Sequence, residues 1–307
     1  MSMVLDPAAE KILEIFKNIE LSDMKVEDVR NMMSSNSASL KKEEMQSVKD
    51  FTFEHHGFKI PCRLYEPRGG SSALILYLHG GGFIFGDIEL FDGVARTAAK
   101  NSGCKVLSVE YRLAPEHKFP AAVDDAYEAY LWVLKNTGML GVDKNRIALA
   151  GDSAGANLSV VTGMRLKDNK IDLPKLETLF YPVLGPDLFT EPLREYGKGY
   201  FLTKESIQWF GRLYLNSEQD FFNPLFAPII RNDLGGLPET IIVTAEHDPL
   251  RDQGEMYLSH LYDAGVLATG IRAKGLIHGF LNFADFIPSA ESIAAMAWYM
   301  TGQKLGV

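Results

Sequence analysis

Cysteine is scarce in this 307-residue chain: Cys62 and Cys104 are the only two. That is too few for a disulfide framework, and each falls in an apolar, strand-like stretch that marks it as a small core residue. Positive charge is also in deficit, since 31 Lys plus Arg against 40 Asp plus Glu leave a formal net charge of −9. No Lys/Arg block exceeds the pair Lys41 and Lys42, so the chain would repel a phosphate backbone and nucleic acid is not an expected partner. Long apolar runs are missing: Ala73 to Leu78 falls far short of a membrane span, and the opening Met1 to Pro7 lacks the basic start and apolar segment of a secretory signal. These absences lead to the expectation of a cytoplasmic protein. No repeat or low-complexity segment interrupts it.

What is present is ordinary globular composition, with 46% hydrophobic, 11% aromatic and 23% charged residues. A chain of this mass can bury roughly three quarters of its unfolded surface, enough for one large core. Residues 1–46 are helical in pattern, with Ile12, Ile15, Phe16 and Ile19 spaced as one apolar face, followed by a Met- and Ser-rich stretch. Two alternating runs, Val48 to Glu54 and Phe58 to Tyr65, predict an edge hairpin turning near His56-Gly57. The continuous apolar runs Ala73 to Leu78, Lys105 to Val109, Arg146 to Ala150, Lys175 to Tyr181 and Thr240 to Ala245 predict strands covered on both faces. Helical segments near 90–101, 121–135, 155–167 and 250–264 alternate with them, which predicts βαβ crossovers and a mostly parallel sheet. Residues 185–222, rich in Gly, Pro and aromatics, break the alternation and read as an excursion that pairs with the N-terminal helices as a lid.

Gly151-Asp152-Ser153-Ala154-Gly155 follows one of these strands and opens a helix. A serine on such a sharp turn has its hydroxyl lifted into a cleft, and the flanking glycines let strand and helix approach. His79-Gly80-Gly81-Gly82 follows another strand. Consecutive glycines free main-chain N–H groups to face a developing oxyanion, so Gly81 and Gly82, with Ala154, are the candidate donors. A phosphate-cradling loop would need other spacing. His79 itself reads as a residue that fixes the loop.

A serine needs a base and an orienting acid. In this topology both follow it, so His55, His56, His79 and His117 are set aside, and His260 lies within a helical pattern. Of His247 and His278, only His278 leaves room for an acid before it. Asp248, at a strand end followed by Pro249, is the favoured acid, although an Asp there can equally cap a helix; Glu246 and Asp252 are its substitutes. Asp124 and Asp125 fit structural roles. Neither a metal nor a cofactor is expected, because His55 and His56, as neighbours on a strand, would face opposite ways with no carboxylate or Cys cluster to complete a site.

With these residues assembled, the chain resembles the hormone-sensitive-lipase-like family of α/β-hydrolases. The resemblance rests on His79 to Gly82, Tyr111-Arg112-Leu113-Ala114-Pro115-Glu116, Phe119 to Ala122 with Asp124 and Asp125, Gly151 to Asn157, Asp248 to Asp252, and His278-Gly279-Phe280. It implies an α/β-hydrolase fold with an eight-stranded, mostly parallel sheet and a helical cap. The divisions would be an N-terminal cap piece (1–46), the catalytic core (47–184), a cap insertion (185–222) and the continued core (223–307). It also implies a triad of Ser153, Asp248 and His278, an oxyanion hole at Gly81, Gly82 and Ala154, and hydrolysis of short- to medium-chain acyl esters. A homodimer through the last strand would fit the resemblance.

Phe83, Tyr181, Phe201 and Phe210, with the Met-rich N-terminal segment, are candidates for lining the substrate pocket, although such residues are also routine core fillers. An amidase or peptidase would use the same triad. A non-catalytic small-ligand receptor on the same fold would be expected to have lost one triad member, and here every role has an occupant.

Overall fold

Eight strands form one sheet in the computed structural model, which describes residues 4–35, 42–186 and 190–307. They are β1 (Ser47–His55), β2 (Phe58–Glu66), β3 (Leu74–Leu78), β4 (Lys105–Val109), β5 (Ile147–Asp152), β6 (Leu176–Phe180), β7 (Glu239–His247) and β8 (Ala268–Ile277). Their spatial order is β1-β2-β4-β3-β5-β6-β7-β8. The β1–β2 and β2–β4 pairs are antiparallel, and every later pair is parallel. Every residue of β3 to β6 is buried, the polar Lys105, Ser108, Asp152, Glu177 and Thr178 included, which is why these strands read as largely apolar runs without alternation.

The helices are α1 (Pro7–Phe16), α2 (Val26–Ser35), α3 (Asp92–Ser102), α4 (Ala121–Lys135), the single turn α5 (Thr137–Leu140), α6 (Ala154–Asp168), α7 (Glu191–Tyr196), α8 (Lys204–Tyr214), α9 (Arg251–Asp263) and α10 (Pro288–Lys304). α3 and α10 pack on one face of the sheet around Trp298, Tyr77 and Phe180, while α4, α6 and α9 cover the other. Ion pairs explain two carboxylates that play no part in the candidate chemistry, Asp125 buried and Asp124 half-buried. Asp125 binds the Arg112 guanidinium through both oxygens at 2.7 and 2.8 Å, and Asp124 meets Arg165 at 2.8 Å.

Three local expectations need correction. α1 ends at Phe16, so Ile19 lies on a turn closed by its N–H to the Phe16 carbonyl, and Ile15 is 67% exposed while Ile12 is buried. Cys104 sits one residue ahead of β4 and not within a strand, although it is buried as expected. His55 and His56 do not face apart: β1 ends at His55, His56 adopts a φ of +47° in the turn, and the two rings meet at 4.3 Å. Burial raises the Cys62 and Cys104 thiols to about 12 and about 11, which leaves both uncharged and unreactive at neutral pH.

The excursion between β6 and β7 contains α7 and α8, and residues 187–189 within it lie outside the described residues, as do 1–3 and 36–41. Buried amides hold its two roots together. Asn157 Nδ2 donates to the carbonyls of Val183 and Phe226 at 2.9 and 2.7 Å, and Gln253 Oε1 accepts the N–H groups of Leu184 and Gly185 at 2.6 and 3.1 Å. Glu20 then joins the N-terminal segment to α8, accepting from Ser206 Oγ at 2.7 Å and Thr203 Oγ1 at 3.0 Å.

Arg30 of α2 binds the sheet side of the molecule. It donates to the carbonyls of Ile84 and Ala114 at 2.9 and 3.0 Å and to both Glu116 oxygens at 2.8 Å. The Arg30 hydrogen bonds pull the Glu116 carboxyl down to about 2. Because the folded value lies below the ordinary glutamate value of about 4.3, the stabilisation is complete above that pH and is lost as pH falls toward the folded value. Melting curves of wild type and Glu116→Gln should therefore differ at pH 7 and converge as pH is lowered through 4 toward 3 (both roughly;). A gap unchanged across that range would contradict this account.

Candidate active site

Ser153 is the single residue between the end of β5 and the start of α6, with φ 52° and ψ −115°. A non-glycine residue there is strained, and the surroundings enforce it. A Cβ on Gly155 would lie 1.9 Å from the Leu78 carbonyl oxygen, and one on Gly151 would lie 2.4 Å from the Gly155 carbonyl carbon. Only glycines allow β3, β5 and α6 to meet this closely.

Asp248 and His278 directly follow β7 and β8, so all three side chains gather beyond the carboxyl ends of parallel strands. His278 Nε2 lies 2.9 Å from Ser153 Oγ, and His278 Nδ1 lies 2.8 Å from Asp248 Oδ2. Asp248 is fully buried, and its Oδ1 accepts the Leu250 N–H at 2.8 Å, which fixes the carboxylate plane. The carboxylate can thus hold the Nδ1–H tautomer and leave Nε2 free to accept the serine proton. The tilted Tyr181 ring packs on the imidazole at 4.8 Å.

The other acids and bases weighed from the sequence are occupied elsewhere. Glu246 accepts the Gly275 N–H at 2.9 Å, and Asp252 pairs with Arg251 at 3.0 Å. His247 stacks on Tyr200 and meets the edge of Tyr196. Among the described residues, no group of three His, Cys, Asp or Glu side chains is placed to hold a metal ion.

Gly81 and Gly82 have φ of 108° and 61°, and both line the same cavity as Ser153 and His278. Added side chains would not fit: a Cβ on Gly81 would fall 2.0 Å from the Phe85 carbonyl oxygen, and one on Gly82 would fall 2.6 Å from the Phe210 ring. The preceding residue anchors the loop. His79 lies between the rings of Phe91 and Tyr111, and its Nδ1 is 2.7 Å from the Gly80 carbonyl. Burial lowers the His79 pKa to about 4, so the ring is neutral at pH 7, with Nδ1–H as the donor to that carbonyl.

The cavity has a volume of about 750 Å³, and Phe83, Tyr181, Phe201 and Phe210 all line it. The helices before β1 contribute Ile12, Phe16 and Met33. Ile15 and Phe286, 67% and 54% exposed, stand at its apolar mouth. Sequence reasoning missed Glu20, Arg30, Asn157 and Gln253. Only Asn157 carried a signal, as a polar side chain in an otherwise apolar helix start.

A family described by its α/β hydrolase fold matches residues 75–282. An arylesterase of Saccharolobus solfataricus is 37% identical over 286 residues, covering 91% of this chain and 93% of that protein. An ethyl acetate hydrolase of Pseudomonas putida is 31% identical over 90% of this chain and 89% of its own length. Among solved structures, a hyperthermophilic esterase from the archaeon Pyrobaculum calidifontis superposes with a TM-score of 0.94 at 39% identity, covering 98% of this chain and 99% of the other. With the fold and these relatives in agreement along nearly its whole length, the chain belongs to the α/β-hydrolases, among the hormone-sensitive-lipase-like carboxylesterases.

Proposed function

We propose that this carboxylic ester hydrolase cleaves short- to medium-chain acyl esters through an acyl-enzyme on Ser153. The observation that carries this reading is the continuous chain from Asp248 through His278 to Ser153, at 2.8 and 2.9 Å. His278 Nε2 takes the Ser153 proton as Oγ attacks the ester carbonyl, and Asp248 stabilises the imidazolium that forms. The N–H groups of Gly81, Gly82 and Ala154 carry the charge developing on the carbonyl oxygen. Imidazolium Nε2–H then protonates the departing alkoxide. Water, deprotonated by the same nitrogen, then adds to the acyl carbonyl to give a second tetrahedral intermediate, whose collapse breaks the bond to Ser153 Oγ, returns the proton to that oxygen and releases the acid.

This order of events divides the cavity. The leaving oxygen must lie at His278 Nε2, so the alcohol sits on the histidine side and the acyl chain beyond the oxyanion glycines. Phe201 approaches Gly279, beside His278, with a ring carbon 3.1 Å from where a Cβ would stand, while Phe210 lies over Gly82. Phe201 is therefore read as bounding the alcohol and Phe210 the acyl group, with Phe83 and Tyr181 as further walls. The names of the aryl- and ethyl-ester relatives support small substrates.

No helix among the described residues is long and apolar enough to cross a membrane. Two buried, unpaired thiols support a cytoplasmic setting, and the net charge of −9 argues against nucleic acid. β8 has no strand beyond it among the described residues, and a second copy pairing there would make the homodimer.

On p-nitrophenyl esters from acetate to palmitate, Ser153→Ala should lose on the order of 10⁶ in turnover, and Asp248→Asn on the order of 10⁴. Full activity in folded Ser153→Ala would end this reading, and preference for an anilide over the matching ester would make the protein an amidase. Phe210→Ala should move the optimum toward longer acyl chains with p-nitrophenol as the constant leaving group. Phe201→Ala should instead alter the ranking of alcohols at constant acyl group. The opposite pattern of responses would reverse the division of the cavity.

A further inference from the structure

The residue before the nucleophile is left over by this mechanism. Asp152 is fully buried, and no salt bridge among the described residues joins it to a lysine or arginine. A buried carboxylate without a cationic partner costs stability, so its hydrogen bonds need explaining. Its Oδ1 accepts the Tyr77 hydroxyl at 2.6 Å and the Gly80 N–H at 2.9 Å, while Oδ2 accepts the Tyr181 hydroxyl at 3.4 Å. Burial raises its pKa to about 6, so at pH 7 it is mainly ionised and an acceptor at both oxygens, as three donors require.

Two of these three partners lead back to the site. Gly80 immediately precedes the glycines read as oxyanion donors, and its own carbonyl is held from the other side by His79 Nδ1. The contact is tight, since a Cβ on Gly80 would come within 2.4 Å of Asp152 Oδ2. The Tyr181 oxygen in turn accepts the Leu281 N–H at 3.3 Å, three residues after His278, and its ring packs on the imidazole. One carboxylate thus touches the turn of the nucleophile, the base of the oxyanion loop and the tyrosine behind the general base.

We infer that Asp152 is a positioning residue: its carboxylate fixes the loop bearing Gly81 and Gly82 through the Gly80 N–H and, through the Tyr181 phenol, the segment bearing His278. This rests on the roles proposed above for Ser153, His278 and the two glycines. Asp152 lines the floor of the cavity but is only 1% exposed, so removing its side chain leaves the substrate walls nearly unchanged and lets the donors drift from the oxyanion. The loss therefore falls on kcat and not on KM.

The test compares wild type, Asp152→Ala and Asp152→Asn on p-nitrophenyl butyrate, with folding monitored by circular dichroism and melting temperature. An activated p-nitrophenyl alkylphosphonate serves as a second probe. Ser153 Oγ displaces p-nitrophenolate from its phosphorus, and the phosphoryl oxygen occupies the oxyanion position. Asp152→Ala should lower kcat by roughly 10² to 10³ with KM held within about threefold, and should slow phosphonylation in parallel. Asp152→Asn keeps one acceptor for Gly80 but turns an amide toward a tyrosine oxygen that already accepts Leu281 N–H, and should lose about tenfold in kcat.

Retention of kcat within about threefold in the alanine variant, a loss confined to KM, or equal losses in both variants would overturn the inference; the last would assign the effect to charge and not to the two hydrogen bonds. If the alanine variant does not fold, the asparagine variant decides: a tenfold kcat loss (roughly;) at constant KM with matching slow phosphonylation supports the inference, and unchanged kcat or a KM effect overturns it. Failure of the underlying reading looks different. Wild type would then release no p-nitrophenolate from the phosphonate, and Ser153→Ala would hydrolyse the ester as wild type does.

Discussion

The contact between the end of β3 and the start of α6 governs the rest of the molecule. The Leu78 carbonyl comes so close to Gly155 that no side chain fits between them, and this proximity holds Ser153 in its strained turn. β3 and β5 are parallel neighbours with Leu78 opposite Gly151. The glycine loop that leaves β3 and the serine that leaves β5 therefore emerge side by side from one edge of the sheet. The alignment of the proposed nucleophile with the proposed oxyanion donors follows from strand register, which buried backbone hydrogen bonds make rigid.

The proposed acid and base arrive by the same logic, since β7 and β8 extend the parallel order and are directly followed by Asp248 and His278. Their polar contacts lie at the floor of a largely apolar cavity, where exclusion of water strengthens each one. Two pieces far apart in the chain, the N-terminal helices and the excursion between β6 and β7, line the cavity above this floor. Glu20 joins the pieces to each other, Arg30 ties the first to the segment after the glycine loop, and Asn157 and Gln253 clamp the roots of the second. On the proposed mechanism, the residues that hold these two pieces are distinct from those that hold Ser153, Asp248 and His278 in line, and Phe201, Phe210 and Tyr181 stand where the two sets meet.

Much of the sheet was legible because its strands are buried on both faces, and such strands carry an unmistakable run of apolar residues. Lys105–Val109 and the hairpin around His56-Gly57 were read nearly to the residue. Helix periodicity was less reliable at the N-terminus, where α1 ends before Ile19 and leaves Ile15 at the cavity mouth, because only part of the helix faces the core. His55 and His56 were misjudged for a related reason: alternation of side chains holds within a strand and fails at its last residue.

The sequence by itself determined the local chemistry: a serine between glycines after a buried strand, a run of glycines after another, and an acid and a histidine in the required order. Such features are readable because each depends on neighbours within a few positions. Only the tertiary structure decided that Asp248, and neither Glu246 nor Asp252, meets His278, since these acids differ in the direction their side chains point. It alone also placed Asp152, Arg30 and Asn157 against the groups they bind. Their partners lie 72, 54 and 69 residues away, and no local pattern encodes which distant carbonyl or N–H a polar side chain will find once the chain has closed around it.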